Sequence, residues 1–258
     1  MGRNLVVLRQ SPHWPTFDLE NTRAFCAAVG LRETLILDFA DRWNAVCAVD
    51  FLTYRHEMKS IALATLKAVS GSTFQTIDSL DVLALDDEDR IFFSDDDDWA
   101  APDLFERLQG PGGDGWMWRS AFLGKLFADT PLEKVGGPVL QKRPASSIVY
   151  TNNYVVSGQA LKRIGSDVMV EHYHAQAAMD DGRYRPSRCD DFLSAANKHL
   201  ACTVFINVNM GAPDFVADMR AGVSRYADEL SAVRLDDDLA WMVDPLARLV
   251  ELNRQAAG

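Results

Sequence analysis

The strongest constraint in this chain is a change of character within ten residues. Arg90-Ile91-Phe92-Phe93-Ser94 is an apolar run that favours a β-strand, and it leads directly into Asp95-Asp96-Asp97-Asp98-Trp99. Four adjacent carboxylates repel one another unless water or a cation screens them. The run is followed by Ala100 to Leu108, which reads as a helix with Pro102 near its first turn. Ligands of open α/β sheets bind at the carboxyl ends of strands, which is where these aspartates fall. In extended chain, alternate side chains share a face, so Asp95 and Asp97 are expected on one side and Asp96 and Asp98 on the other. Two carboxylates on one face can hold a hard divalent cation and leave positions open for a ligand's phosphates. The plain alternative is a solvated acidic loop, the usual use of a charge run.

The rest of the pattern supplies a sheet for that strand to join. Leu5 to Leu8 predicts a first buried strand, and Asp18 to Val29 a helix ending at Gly30. Thr34 to Phe39 predicts a second strand, and Asp41 to Val69 a long helix with a break near Phe51 to Tyr54. Asp86-Asp87-Glu88-Asp89 reads as an exposed turn. Trp116-Met117-Trp118, Ile148 to Tyr150 and Tyr154 to Val156 are short strand candidates, with core packing the commoner use of the two tryptophans. Gln159 to Ile164 predicts a short helix, Asp190 to His199 another, and Thr203 to Val208 a strand. The alternation defines an α/β domain with a mixed sheet flanked by helices over 1–212. Residues 213–258 read as a C-terminal helical extension, broken near Leu235 to Asp238 and kinked at Pro245. Its stripe of Trp241, Met242, Leu246, Leu249, Val250 and Leu252 either covers the sheet or forms a homodimer seam.

Charge excludes several function classes. The 258 residues hold 26 Lys plus Arg against 37 Asp plus Glu, a formal net charge of −11. A nucleic-acid partner calls for a basic stripe, and the longest basic run here is the pair Lys142-Arg143. No apolar stretch approaches the roughly 20 residues of a membrane-spanning helix. The opening residues lack a signal-peptide core, so a cytoplasmic location is expected. Cys26, Cys47, Cys189 and Cys202 are widely spaced and read as reduced thiols. The excess acid is local: residues 78–103 carry eleven Asp or Glu and one Arg.

The segment from Ile91 to Asp103 resembles the core motif of GT-A nucleotide-sugar glycosyltransferases, in which an apolar strand ends in DxD or DxDD and a helix starts near Pro-Asp. Within that fold it is most similar to the family-2-like group that includes rhamnosyltransferases. Leu5 to Ser11, Phe51 to Arg55 and Phe192 to Lys198 are weaker echoes of the same group. The resemblance implies a GT-A-like, Rossmann-related mixed sheet, a nucleotide-sugar donor, a glycan or small-molecule acceptor, and a Mn²⁺ or Mg²⁺ ion bridging the donor's diphosphate. It implies that Asp95 and Asp97 hold the metal, that Asp95 also lies near the ribose or sugar, and that Asp98 is a sugar contact. Arg9 is a candidate diphosphate partner, Trp99 is expected beside the metal loop, and Asn152 and Asn153 are candidate hydrogen-bond donors to a sugar. Their plain alternative is a turn between strands.

A transferase of the inverting kind needs a general base. Asp180-Asp181 and Asp190-Asp191 are the candidates, with Glu171 an outsider; Asp181 and above all Asp191 are preferred. Capping of a helix is the alternative use of Asp190-Asp191. His172 and His174 would share a face in a strand, which makes His174 a candidate further ligand to the metal. Two rival readings remain at this point. One is a non-catalytic metal- or carbohydrate-binding relative. The other is a Mg²⁺-dependent prenyl-diphosphate enzyme, whose Asp-rich motif sits on a helix in an all-α fold.

Overall fold

The valine-rich run near the start of the chain forms strand β1 (Asn4–Arg9), and the apolar run before the aspartates forms β2 (Arg90–Asp95). The two pair in parallel over six places, from Asn4↔Arg90 to Arg9↔Asp95. The computed structural model describes residues 2–9, 52–70, 84–124, 139–143, 148–150, 152–169, 172–198 and 225–257. The expected elements at Asp18 to Val29, Thr34 to Phe39 and Thr203 to Val208 lie outside the described residues.

The further strands are β3 (Trp99–Ala100), β4 (Gly115–Leu123), β5 (Leu140–Lys142), β6 (Tyr154–Ser157) and β7 (Ser187–Asn197). They make one mixed sheet in the order β1-β2-β6-β4-β7-β3, with β5 pairing beside the end of β4. The helices are α1 (Leu52–Ser70), α2 (Leu104–Arg107), α3 (Gly158–Ile164), α4 (His172–Asp180), α5 (residues 225–231) and α6 (Val243–Ala257). The architecture is α/β, as expected.

The sheet is buried on both faces, which is why β2 is a nearly unbroken apolar run. Ile91 and Phe93 face a cluster with Val7, Met117, Tyr154 and Val156, closed by Ala160 and Leu161 of α3 and Ala175 and Ala178 of α4. Phe92 faces the other way, into a cluster with Leu66 of α1, Leu104, Trp116, Trp118 and Leu193. Both tryptophans are thus core residues. Helix α3 starts at Ser157, whose side chain accepts a hydrogen bond from the Ala160 N–H, and ends at Gly165.

Four local expectations are corrected. Residues 187–197 are a strand, because this segment pairs with β4 on one side and β3 on the other. Ladder hydrogen bonds and full burial from Phe192 onward override the helix preference of its alanines. Residues 172–180 are helical, with Ala175 and Ala178 buried three apart on one face. The segment after the aspartates makes only one turn of helix, α2. Pro245 sits in the first turn of α6, where its missing N–H costs nothing, so it starts the helix instead of kinking it. Helix α6 packs on α1, and Met242, Leu246, Leu249 and Leu252 are buried within the chain. Among the described residues no helix is long and apolar enough to cross a membrane.

Candidate functional site

Strands β1 and β2 are parallel, β6 is antiparallel to both β2 and β4, and β7 is parallel to β4. The carboxyl ends of β1, β2, β4 and β7 therefore share one edge of the sheet. Arg9, Asp95, Leu123 and Asn197 stand at those ends.

The aspartate run turns at this edge. The Asp98 N–H donates to the Asp95 carbonyl at 3.3 Å, and the chain re-enters the sheet at Trp99, which pairs with Ala195 of β7. The run is extended only as far as Asp95, so strict strand alternation does not apply beyond it. Burial alternates nonetheless: Asp95 and Asp97 are partly exposed, and Asp96 and Asp98 are buried. Asp98 is fully enclosed, and its Oδ1 accepts the Asn197 N–H at 2.9 Å. Arg9 lies beside the turn, its Nε 2.8 Å from Asp95 Oδ1.

Burial pushes the Asp98 carboxyl well above the ordinary carboxylate range, and the negative charge of Asp95 adds to the effect, against the opposing field of Lys198. Burial also raises Asp95, with Arg9 the main opposing influence. Carboxylates whose charged form burial disfavours are typical of functional sites.

A polar cluster lies alongside. Continuing the β2–β6 register by three places sets Asn152 level with Asp95. The Asn152 Oδ1 accepts from Ser120 Oγ at 3.4 Å and Ser194 Oγ at 3.2 Å, and Trp118 Nε1 donates to Ser194 Oγ at 2.9 Å. Asn152 and Asn197 are both fully buried, yet the Asn152 Nδ2 and both amide atoms of Asn197 have no hydrogen-bond partner. Each buried polar atom left so costs about 1–3 kcal/mol. Gly124, at φ 88° beyond β4, lets the backbone pass close to the end of β7: a Cβ there would fall 2.4 Å from the Lys198 carbonyl oxygen.

The donor set fits a hard divalent cation. Asp95 and Asp97 are the accessible carboxylates of the run, and oxygen ligands suit Mg²⁺ or Mn²⁺. Among the described residues no group of three or more His, Cys, Asp or Glu is arranged to hold a metal. Two carboxylates completed by phosphate and water are a common Mg²⁺ arrangement.

Of the residues picked from sequence, Arg9, Asp95, Asp97, Asp98 and Asn152 come together at this edge. Trp99 adjoins the turn but is fully buried, so its ring faces no ligand. Asn153 is committed to structure: its Oδ1 accepts from the Tyr150 N–H at 2.7 Å, and its Nδ2 donates to the Ile148 and Trp118 carbonyls. The rest are not brought in. Asp181 is half exposed and pairs with Arg183 at 2.7 Å. Asp191 is half exposed, 3.6 Å from Arg107. It precedes Asn197 by six strand residues, about 20 Å along β7. His172 and His174 lie two apart on a helix, so they do not share a face. The His174 ring rests 4.3 Å from that of Tyr173. Sequence reasoning passed over Ser120, Asn197 and Lys198. The last two stand in the Phe192 to Lys198 echo, which is the signal that pointed to them.

Comparison of the chain with protein families, with curated proteins and with solved structures found no match.

Proposed function

We propose that this protein is a metal-dependent glycosyltransferase of the GT-A type, moving a sugar from a nucleotide diphosphate to a hydroxyl acceptor. The observation that carries the reading is the acidic turn at the carboxyl end of β2, whose Asp95 and Asp98 carboxyls burial drives upward, beside Arg9 at the end of the parallel neighbour β1. In this reading Asp95 and Asp97 hold Mn²⁺ or Mg²⁺, which when bound supplies Lewis-acid stabilisation of the leaving diphosphate. Arg9 takes diphosphate oxygens, for which a guanidinium fork is suited. Lys198 adds positive charge at the same edge, and the unused amide group of Asn197 serves hydroxyls of the ribose or sugar. Asp98, tied to the β7 backbone, holds the turn in shape.

The prenyl-diphosphate alternative loses its support, because Phe92 to Asp95 are a strand and the fold is not all-α. One observation favours a second reading, a relative that binds the donor without transferring it: neither Asp181 nor Asp191 stands by the turn. Donor turnover separates the two. Nucleotide-sugar consumed in the presence of Mn²⁺ supports the transferase; metal-dependent binding without consumption supports the relative.

The test of the reading itself is thermal denaturation with UDP, GDP and dTDP, each with and without Mn²⁺. One nucleotide is expected to raise the melting temperature only when metal is present, and Asp97→Ala to remove that shift. A panel with no metal-dependent shift refutes the reading.

A further inference from the structure

Several of the described arginines hold an aspartate. Arg3, Arg9, Arg107, Arg163 and Arg183 each have a carboxylate oxygen within 2.9 Å. In a chain with eleven more acids than bases, a guanidinium that has none beside it among the described residues, and also a shielded nitrogen left over, stands apart. Arg143, just after β5, is such a group. It makes no ion pair with a described residue, its Nε is shielded from solvent, and that nitrogen has no hydrogen-bond partner.

What Arg143 does touch is aromatic. Its guanidinium lies 5.1 Å from the ring centre of Phe122 and 5.6 Å from that of Tyr150. Ring faces attract the cation and fix the plane of the fork, but they do not take its N–H groups in the way an oxygen does. The Nε donor is held in place and left unused. Arg119 also lacks a carboxylate, lying 4.1 Å over the Phe192 ring, but it has no shielded nitrogen without a partner.

Position gives this a use. In the row of the sheet between β2 and β4, β6 pairs with Gly115–Met117 and β5 with Ala121–Leu123. Arg143 continues β5, its N–H donating to the Ser120 carbonyl at 2.9 Å. It therefore occupies the row next to the acidic turn, about one or two strand spacings, or ~5–10 Å, from the line of β2. Ser120 leads from there to Asn152, whose Nδ2 is a second shielded donor without a partner.

We propose that Arg143, clasped by Phe122 and Tyr150 and backed by Asn152, is a binding site for an oxyanion, and that it selects an acceptor carrying a carboxylate or phosphate group. The selection of acceptor rests on the glycosyltransferase reading; the oxyanion site does not. Both donors call for acceptor oxygens, and a charged planar fork favours an anion whose oxygens it can take in pairs, a carboxylate or phosphate.

The test is calorimetric titration of the full chain, without metal or nucleotide, using D-glucuronate, D-glucose 6-phosphate and uncharged D-glucose. One charged probe is expected to bind saturably and at least 10-fold tighter than glucose, and which one distinguishes carboxylate from phosphate. Arg143→Gln is expected to weaken it at least 10-fold. Arg143→Lys, which keeps charge but not the fork, is expected to fall between. Arg119→Gln is expected to bind as the unaltered chain does. The site is overturned if glucose binds as well as the charged probes, if none binds, if Arg143→Gln binds unchanged, or if Arg119→Gln loses as much. Oxyanion binding without metal-dependent nucleotide binding would keep the site and remove its role in choosing an acceptor.

Discussion

At the start of β2 donors surround a buried carboxylate, Asp89, and hold its pKa down; at its end burial drives the Asp95 and Asp98 carboxyls up. Asp89 accepts from the Arg3 backbone N–H at 2.7 Å, from Arg3 Nη2 at 2.6 Å and from the Asp86 N–H at 3.0 Å. Those bonds, above all from the Arg3 side chain, pull its pKa down to about 2. This corrects the sequence expectation of an exposed turn: 87–88 turn outward, while Asp89 goes inward and clasps the start of β1 to the start of β2. At the other end of the same strand, burial drives Asp95 and Asp98 the opposite way. A carboxylate buried for structure comes with its counter-charge. One whose charged form burial disfavours gains from a cation brought from outside.

The sharpest way to break this comparison is to neutralise one acid at each end. Asp89→Asn removes a satisfied buried charge and leaves Arg3 without its partner, and is expected to cost about 2–3 kcal/mol of stability in denaturant unfolding. Asp98→Asn keeps an acceptor for the Asn197 N–H and removes an unfavourable buried charge. It is expected to leave metal-free stability unchanged or raise it by up to about 1 kcal/mol. Equal destabilisation by both would erase the distinction.

The pH dependence follows with opposite signs. Asp89 is held below its unfolded value near 4, so its contribution is complete above about pH 4 and is lost as pH falls toward 2. Asp98 is held above its unfolded value, so the protein is favoured in acid and loses that contribution as pH rises from about 4 through the folded value. Unfolding free energies measured from pH 3 to 8 should therefore converge for Asp89→Asn and the unaltered chain in acid. For Asp98→Asn they should converge at the low end and separate above it.

A smaller effect concerns Arg9, the main counter-charge of Asp95. Arg9→Gln is expected to tighten Mn²⁺ binding without nucleotide about 3- to 10-fold, by removing a competitor for Asp95, and to weaken nucleotide binding at saturating Mn²⁺. Electron paramagnetic resonance of free Mn²⁺ reads the first, calorimetry the second; shifts in the same direction would count against a shared site. The smallest effect is expected at Asp87. Its ion pair with Lys162 is solvent-exposed at 2.8 Å, so Asp87→Asn should change stability by about 0.5 kcal/mol or less.

Much of this was legible beforehand, and the failures share a cause. β1, β2, α3 and β6 announce themselves through short apolar runs and local stop signals. Residues Arg9, Asp95, Asp97, Asp98 and Asn152 were picked from the chain and meet at one edge. β7 was misread because Asp190-Asp191 followed by alanines looks like a capped helix, and only its two partner strands make it a strand. The histidine pair misled by the same route, since a two-residue spacing matters only in a strand. Asp89 and Arg143 were missed because their roles depend on Arg3, Phe122 and Tyr150, whose approach no local pattern records.

The hydrogen bond from the Asn197 backbone to Asp98 spans 99 positions of chain. The turn that gathers the acids is thus closed by a strand that emerges from the ribosome long after them. A nascent chain that stops short of Asn197 has every aspartate of the run and none of the closure. The acidic edge is among the last parts of the described sheet to become complete, and it withholds its final shape until the sheet around it is built.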